Sequence, residues 1–190
     1  VDRDGRLLAM HIEVLFDGGA YTTLSPVVLS RGCIHAAGPY KCEHVLIEGR
    51  AVATNHVPYG AFRGFGAPQT CFAIERQMDA IAAKLGIHPL ELRRRNMLRV
   101  GDATATGQVL RTSVGAEPVM ERIVARTAFD AHDWRAPRNG RVRRGRGFSF
   151  FFHGAGFTGA GEQMLKARIA VELTREGRAL VRSASTEFGQ

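Results

Sequence analysis

The chain has 190 residues, 45% of them hydrophobic and 23% charged, enough for one substantial globular domain or two small ones. Its apolar runs are too short to cross a bilayer as a helix, and the charged start Val1-Asp2-Arg3-Asp4 lacks the apolar centre of a secretory signal, so a membrane-embedded or secreted protein is not expected. The net charge of +8 is almost all arginine, and Cys33, Cys42 and Cys71 form no CxxC pair, which predicts reduced thiols in a cytoplasmic protein.

Arg3-Asp4-Gly5-Arg6 reads as a hairpin turn with only two residues before it, Val1 is not an initiator Met, and Glu187-Phe188-Gly189-Gln190 stops just after a predicted strand. The expectation is therefore a piece of a longer chain. Leu7 to Phe16 predicts a strand with Leu8, Met10, Ile12 and Val14 on one face, broken at Asp17-Gly18-Gly19-Ala20. Residues 21–44 read as mixed, punctuated by Ser25-Pro26 and Gly38-Pro39, and Val45 to Thr54 as a second strand. After a glycine-rich loop over 59–68, Cys71, Ile74, Met78, Ile81 and Leu85 step by three and four, the apolar stripe of a helix begun near Pro68 and stopped by Gly86. A short helix follows from His88 to about Leu98, with Glu91 and Arg95 spaced for an ion pair, and another over Pro118 to Thr127, supported by Val119, Ile123 and Val124. From Arg135 to Arg146 the composition shifts to Pro, Gly, Asn and six arginines, an exposed linker. Phe148 to Phe152 predicts an aromatic strand, Gly154 to Gly161 a second glycine-rich loop, and Ala167 to Ala184 a hairpin turning at Arg175-Glu176-Gly177-Arg178. The fold class is α+β, with mixed or antiparallel sheets and flanking helices: one domain part over 1–130, a basic linker over 131–146 and the start of a second domain over 147–190.

The loop Ala61-Phe62-Arg63-Gly64-Phe65-Gly66 opens onto the clearest helix. Gly64 and Gly66 let backbone approach a ligand closely, the helix start attracts anions, Arg63 offers a fixed fork of donors and Phe65 a flat apolar face. Two readings stand: a cradle for an anionic, planar ligand, or a tight turn whose phenylalanines anchor it to the core with Arg63 in solvent.

The stretch Ala61 to Gln69 (Ala-Phe-Arg-Gly-Phe-Gly-Ala-Pro-Gln) resembles the signature of molybdenum hydroxylases of the xanthine dehydrogenase/aldehyde oxidase family. Asp17-Gly18-Gly19-Ala20, Glu75, Glu91-Leu92-Arg93-Arg94-Arg95-Asn96, Gly101-Asp102 and Thr186-Glu187-Phe188-Gly189-Gln190 fit that family in the same order, over nearly the whole chain apart from 103–146. The resemblance implies parts of two molybdenum-cofactor-binding domains of a large subunit. It further implies a molybdenum-pterin cofactor, with iron–sulfur and FAD centres on partner subunits or domains, and hydroxylation of an aldehyde or N-heterocycle with water as oxygen source. Position by position, Arg63 and Gly64 would lie beside the cofactor, Gly189 and Gln190 would meet the pterin, Phe65 and Phe150 would sandwich the substrate, and Arg31 would orient it. No side-chain metal ligands are implied, because the pterin dithiolene holds the metal. The family's catalytic glutamate lies beyond Gln190, so neither Glu162 nor Glu187 takes that role, and the 190 residues alone are expected to be inactive. Phe151, where purine hydroxylases carry threonine, and a divergent His153–Glu162 loop leave the substrate open.

Gly154-Ala155-Gly156-Phe157-Thr158-Gly159 satisfies the dinucleotide-binding glycine string, but that fingerprint needs a helix next and a hairpin is predicted instead. Arg138, Arg141, Arg143, Arg144 and Arg146 offer the alternative of a non-catalytic polyanion- or partner-binding module; no aromatics interleave them for base stacking, so a solvated linker and no nucleic-acid partner are expected. The seven histidines show no metal-ligand spacing.

Overall fold

In the computed structural model, residues 1–131, 141, 145–154 and 168–184 are described. The chain divides into two compact units, Val1–Phe152 and His153–Gln190. The class is α+β.

The first unit begins with the expected turn: Gly5 N donates to Asp2 O (3.2 Å), Asp2 N to Arg6 O (3.1 Å), and Gly5 takes φ +80. Strand β1, Ala9–Gly19, follows, with Met10, Ile12, Val14 and Phe16 on its half-buried face and Leu8 exposed. Helix α1, Ser25–His35, then leads to strand β2, His44–Ala53. β2 pairs with β1 in parallel, Ala9 opposite His44 and Phe16 opposite Ala51, so the unit opens with a β–α–β crossover in which α1 lies against both strands. The outward faces of the pair carry His11, Glu13 and Glu48, with His11 Nε2 2.8 Å from Glu48 and 3.8 Å from Glu13.

The mixed stretch 21–44 gives no sequence signal for helix α1. Its buried residues are Ser25, Val28, Arg31, Gly32 and His35, a helical spacing with one aliphatic side chain in it.

Helix α2, Ala67–Leu85, matches its predicted bounds, with Pro68 in the first turn and Gly86 ending it in the left-handed conformation. Ile74, Met78 and Ala82 are its deeply buried apolar positions; Cys71 and Ile81 are half-buried. Helix α3, Pro89–Asn96, is capped by His88, whose Nδ1 accepts from Leu90 N (3.2 Å), and carries the expected Glu91–Arg95 pair (2.8 Å). Helix α4, Ala116–Thr127, buries Met120 and Val124, while Val119 and Ile123 face outward, so the apolar phase is set by the four-residue step from 120 to 124. The core joins these elements: Leu7, Tyr40, Ile74, Met78, Ala82, Leu90, Leu92, Met97, Met120, Val124, Phe129 and Phe150. Asn96 closes it near the chain start, accepting from Leu7 N (2.9 Å) and donating to Gly5 O and Leu92 O (2.8 Å each).

Residues 148–152 run without the predicted strand assignment. The Phe150 amide, which a ladder would need, donates instead to Glu75 Oε2 at 3.0 Å.

In the second unit, strands β3, Ala170–Leu173, and β4, Ala179–Arg182, form the expected antiparallel hairpin. Its turn is closed by Thr174 N to Arg178 O (2.8 Å) and Gly177 N to Thr174 O (3.0 Å), with Gly177 at φ +76. No helix among the described residues is long and apolar enough to cross a membrane.

Candidate functional site: a left-handed turn seated on a polar-faced helix

The end of β1 sets the position of the first glycine loop. Gly18 bulges out of the ladder between Asp17 and Gly19. Asp17 organises the bulge by accepting from Gly19 N (2.9 Å), Thr54 Oγ1 (2.6 Å) and His56 Nδ1. The Thr54 hydroxyl first, then His56 and the Gly19 amide, hold the Asp17 carboxyl at about 2. A side chain at Gly19 would overlap the Val57 carbonyl, so residues 54–59 can pass close beside 17–20, and Tyr59 N donates to Gly18 O (3.4 Å). Ser25 Oγ and Thr23 Oγ1 both donate to Tyr59 O, tying the start of α1 to the chain that enters the 61–66 loop.

The loop itself is a tight turn. Phe65 N donates to Phe62 O (2.9 Å) and Ala67 N to Gly64 O (3.1 Å), and Gly64, Phe65 and Gly66 have φ of +96, +52 and +95 in succession. A non-glycine residue at positive φ is costly and persists where its surroundings fix it. Here the fixing contact is visible: a Cβ at Gly66 would overlap the Val28 carbonyl oxygen and stand 3.2 Å from Gly32 N. The turn therefore sits directly on α1, on the helical turn that contains Arg31. Arg31 is 8% exposed, held in α1 and turned away from solvent. His35, one turn on, donates through Nδ1 to Arg31 O (2.8 Å), and its ring lies 5.3 Å from that of Phe152.

The structure thus brings Arg31 and the Arg63–Gly64–Phe65 turn to the same stretch of α1. Arg63 is exposed and Phe65 half-buried. Phe150 is packed against α2, the helix that the turn opens: it is 7% exposed, its ring is edge-on to Phe148 (5.0 Å) and its amide bonds Glu75, while Phe151 is 70% exposed. Gly189 and Gln190, the glycine string from Ala155 onward, Glu162, Glu187, Trp134, Arg138, Arg143 and Arg144 lie outside the described residues. Of the basic linker, Arg146 is tied back to Thr127 O (3.1 Å).

Glu75 and Arg93 stand in the family-like motifs of α2 and α3 with no role marked by the sequence. They form a buried ion pair between α2 and α3: Arg93 Nε and Nη2 each lie 2.9 Å from Glu75 Oε2, Nη2 also donates to Glu75 O (3.1 Å), and Nη1 reaches Asp79 Oδ1 (2.9 Å) and Pro89 O (3.2 Å). Tyr40 OH donates to Glu75 Oε1. Burial disfavours the Arg93 charge, but Tyr40, Glu75 and Asp79 outweigh it and hold the guanidinium above its ordinary value. Burial, then the Glu75 charge, pushes the Tyr40 hydroxyl far up. Helical phase is the available signal, since Arg93 is three residues after Leu90 and three before Asn96, all on the inward face.

Residues 1–97 match the family described as the molybdopterin cofactor-binding domain. The chain belongs to that family. It is 43% identical over 63% of its length to the nicotinate dehydrogenase large molybdopterin subunit of Eubacterium barkeri, covering 28% of that protein. It is 37% identical over 100% of its length to a probable xanthine dehydrogenase subunit of Bacillus subtilis, covering 25% of it. Among solved structures, the aldehyde oxidoreductase of Desulfovibrio gigas superposes with a TM-score of 0.60 at 42% identity over 68% of this chain and 14% of that one. The chain thus spans about a quarter of the curated relatives it matches.

The residues present fit a molybdenum-pterin group. Exposed Arg63 offers a fork of donors to an anionic edge and Phe65 a flat apolar face beside it, while the Cβ-free sides of Gly64 and Gly66 are taken up by Pro68 and the Val28 carbonyl, which fix the turn that presents them.

Proposed function

We propose that the chain forms part of a molybdenum hydroxylase that oxidises an aldehyde or an N-heteroaromatic ring with water as the oxygen source. The observation that carries this is the left-handed Gly64–Phe65–Gly66 turn pressed onto α1 beside buried Arg31. The bound cofactor would activate the water that supplies the oxygen and would accept two electrons, which iron–sulfur and FAD partner subunits or domains then remove. The residues of this chain do the placing. Arg63 and Gly64 hold the anionic edge of the cofactor, and Gly189 and Gln190 are assigned to pterin binding by their motif alone. Phe65 gives the substrate ring an apolar wall and Phe150 stands on the other side of it. Arg31, held in α1, orients an oxygen or ring nitrogen and stabilises charge developing there. The general-base glutamate belongs to a part of the subunit outside these 190 residues, which alone turn nothing over. We assign 1–130 to the first cofactor-binding domain, 131–146 to the linker and 147–190 to the second, and place the enzyme in the cytoplasm, where free thiols such as Cys33, Cys42 and Cys71 stay reduced.

The names of the relatives support an N-heterocycle or aldehyde, since nicotinate, xanthine and an aldehyde are each attached to one of them. The test is made on the full-length parent subunit. Metal analysis and pterin fluorescence should find molybdenum and pterin together, and Arg63→Ala should lower both. A subunit purified with its partners that contains neither overturns the proposal.

A further inference from the structure

The substrate wall assigned to Phe150 is fastened by two side chains of α2 that have no place in the site described so far. Phe150 N donates to Glu75 Oε2 (3.0 Å), and Phe150 O accepts from Cys71 Sγ (3.6 Å). Cys71 and Glu75 are four apart on one helix, so they stand one above the other on a single face. Both polar groups of the Phe150 residue are thus taken by adjacent turns of α2, and a segment without a sheet partner is located as firmly as a strand would be. The Glu75 carboxylate is itself immobilised: it is 5% exposed, with Tyr40 OH on one oxygen and Arg93 on the other. Burial, and then the Glu75 charge, raises the Cys71 thiol above its ordinary value and keeps it a protonated donor.

Helix α2 also begins at the other wall. Ala67 follows the Phe65 turn directly and precedes Glu75 by eight residues, a rise of about 12 Å along the axis. One rigid helix therefore carries the Phe65 turn at its start and the fastening of Phe150 two turns later.

We infer that Cys71 and Glu75 are positioning residues: they clip the Phe150 backbone to α2, and so set the separation between the two aromatic walls that decides which flat substrates the enzyme accepts. The clip is a matter of structure alone, whereas its effect on substrate choice rests on the reading of Phe65 and Phe150 given above.

The experiment uses the full-length enzyme with its cofactors and compares wild type with Cys71→Ala and Glu75→Gln, the first of which leaves Glu75, Arg93 and Tyr40 intact. Hydrogen exchange followed by mass spectrometry reads the clip. Amides within 148–152 should exchange about fivefold faster in Glu75→Gln, where a neutral amide oxygen replaces the charged acceptor, and about twofold faster in Cys71→Ala, with α2 amides around Met78 unchanged in Cys71→Ala. Steady-state kinetics reads the walls: KM for an N-heteroaromatic substrate should rise about fivefold in Glu75→Gln while KM and kcat for acetaldehyde stay within about twofold. Unchanged exchange over 148–152 in both variants overturns the clip. Faster exchange with equal losses for both substrates overturns its role in selecting flat rings and leaves a structural brace. If Glu75→Gln does not fold, Cys71→Ala decides by the same two measurements. If wild type turns over neither substrate, the hydroxylase reading fails and with it the substrate-selecting role, while the exchange data still decide the clip.

Discussion

Helices α1 and α2 pack against each other, yet they bury different chemistry. The inward face of α2 is Ala67, Ile74, Met78 and Ala82, with two polar residues: Thr70, bonded to backbone carbonyls of its own first turn, and Glu75, met by an arginine, a tyrosine and a backbone amide. The inward face of α1 is Ser25, Arg31, Gly32 and His35 around Val28. Burying apolar area contributes stability in proportion to that area, whereas burying polar side chains costs desolvation that bonds must offset. An element with a polar buried face adds little to the stability of the fold. Its sequence is better explained by what it holds in place, here the Gly66 contact and Arg31. On the proposed function, α1 carries Arg31 and the seat of the Gly66 turn on its inward face, while α2 starts directly after that turn and braces what packs against it.

The largest effect should come from breaking the scaffold's buried charge pair. Arg93 is completely buried, and Arg93→Ala leaves Glu75 without its counter-ion and the Phe150 amide bonded to an unbalanced charge. We expect a loss of about 3–5 kcal/mol in urea denaturation. The contrast between the helices is sharpened by Arg31→Met, which keeps the length of a side chain that is nearly as buried. Its stability should fall by about 1–3 kcal/mol, less than in Arg93→Ala, while kcat/KM of the full-length enzyme falls by about a hundredfold. Should Arg31→Met unfold the protein as Arg93→Ala does, α1 is scaffold as well and the comparison fails.

The same contrast governs what the sequence reveals. Strands β1 and β2 and helices α2 and α3 are legible because apolar spacing, prolines and glycines mark them, and Gly86 ends α2 where a left-handed residue is needed. Helix α1 is illegible for the reason that makes it interesting: Ser, Arg, Gly and His at helical spacing carry no hydrophobic signal. The parallel pairing of β1 with β2 follows α1 into obscurity: the stretch from Ala20 to Glu43 is long enough for a crossover, but its helix carries no marked apolar stripe. The 61–66 turn is legible as a motif, but its seat on Val28 and Gly32 depends on a contact across more than thirty residues. The strand expected at 148–152 fails on a similar long-range fact, an amide taken by a side chain of α2.

The run Arg93-Arg94-Arg95 gives the smallest effect and the sharpest test of helical phase as a guide. Three consecutive arginines look alike in the sequence, but successive residues on a helix point about 100° apart, so only one can face the core. Arg93 takes that place, while Arg95 lies outward, 38% exposed, paired with the equally exposed Glu91 at 2.8 Å. The Arg95 hydrogen bond, more than burial opposes it, holds the Glu91 carboxyl below its ordinary value. Solvent and salt screen such a pair, so Arg95→Ala should cost only about 0.3–0.5 kcal/mol in urea denaturation, and less still in 1 M salt. Arg95 also donates to Asp4 O, near the Gly5 turn that Asn96 holds from within. If that contact rather than the ion pair dominates, the cost will persist undiminished at high salt. A cost approaching that of Arg93→Ala would mean that phase does not separate the two arginines, and that the inward and outward faces of α3 share one network.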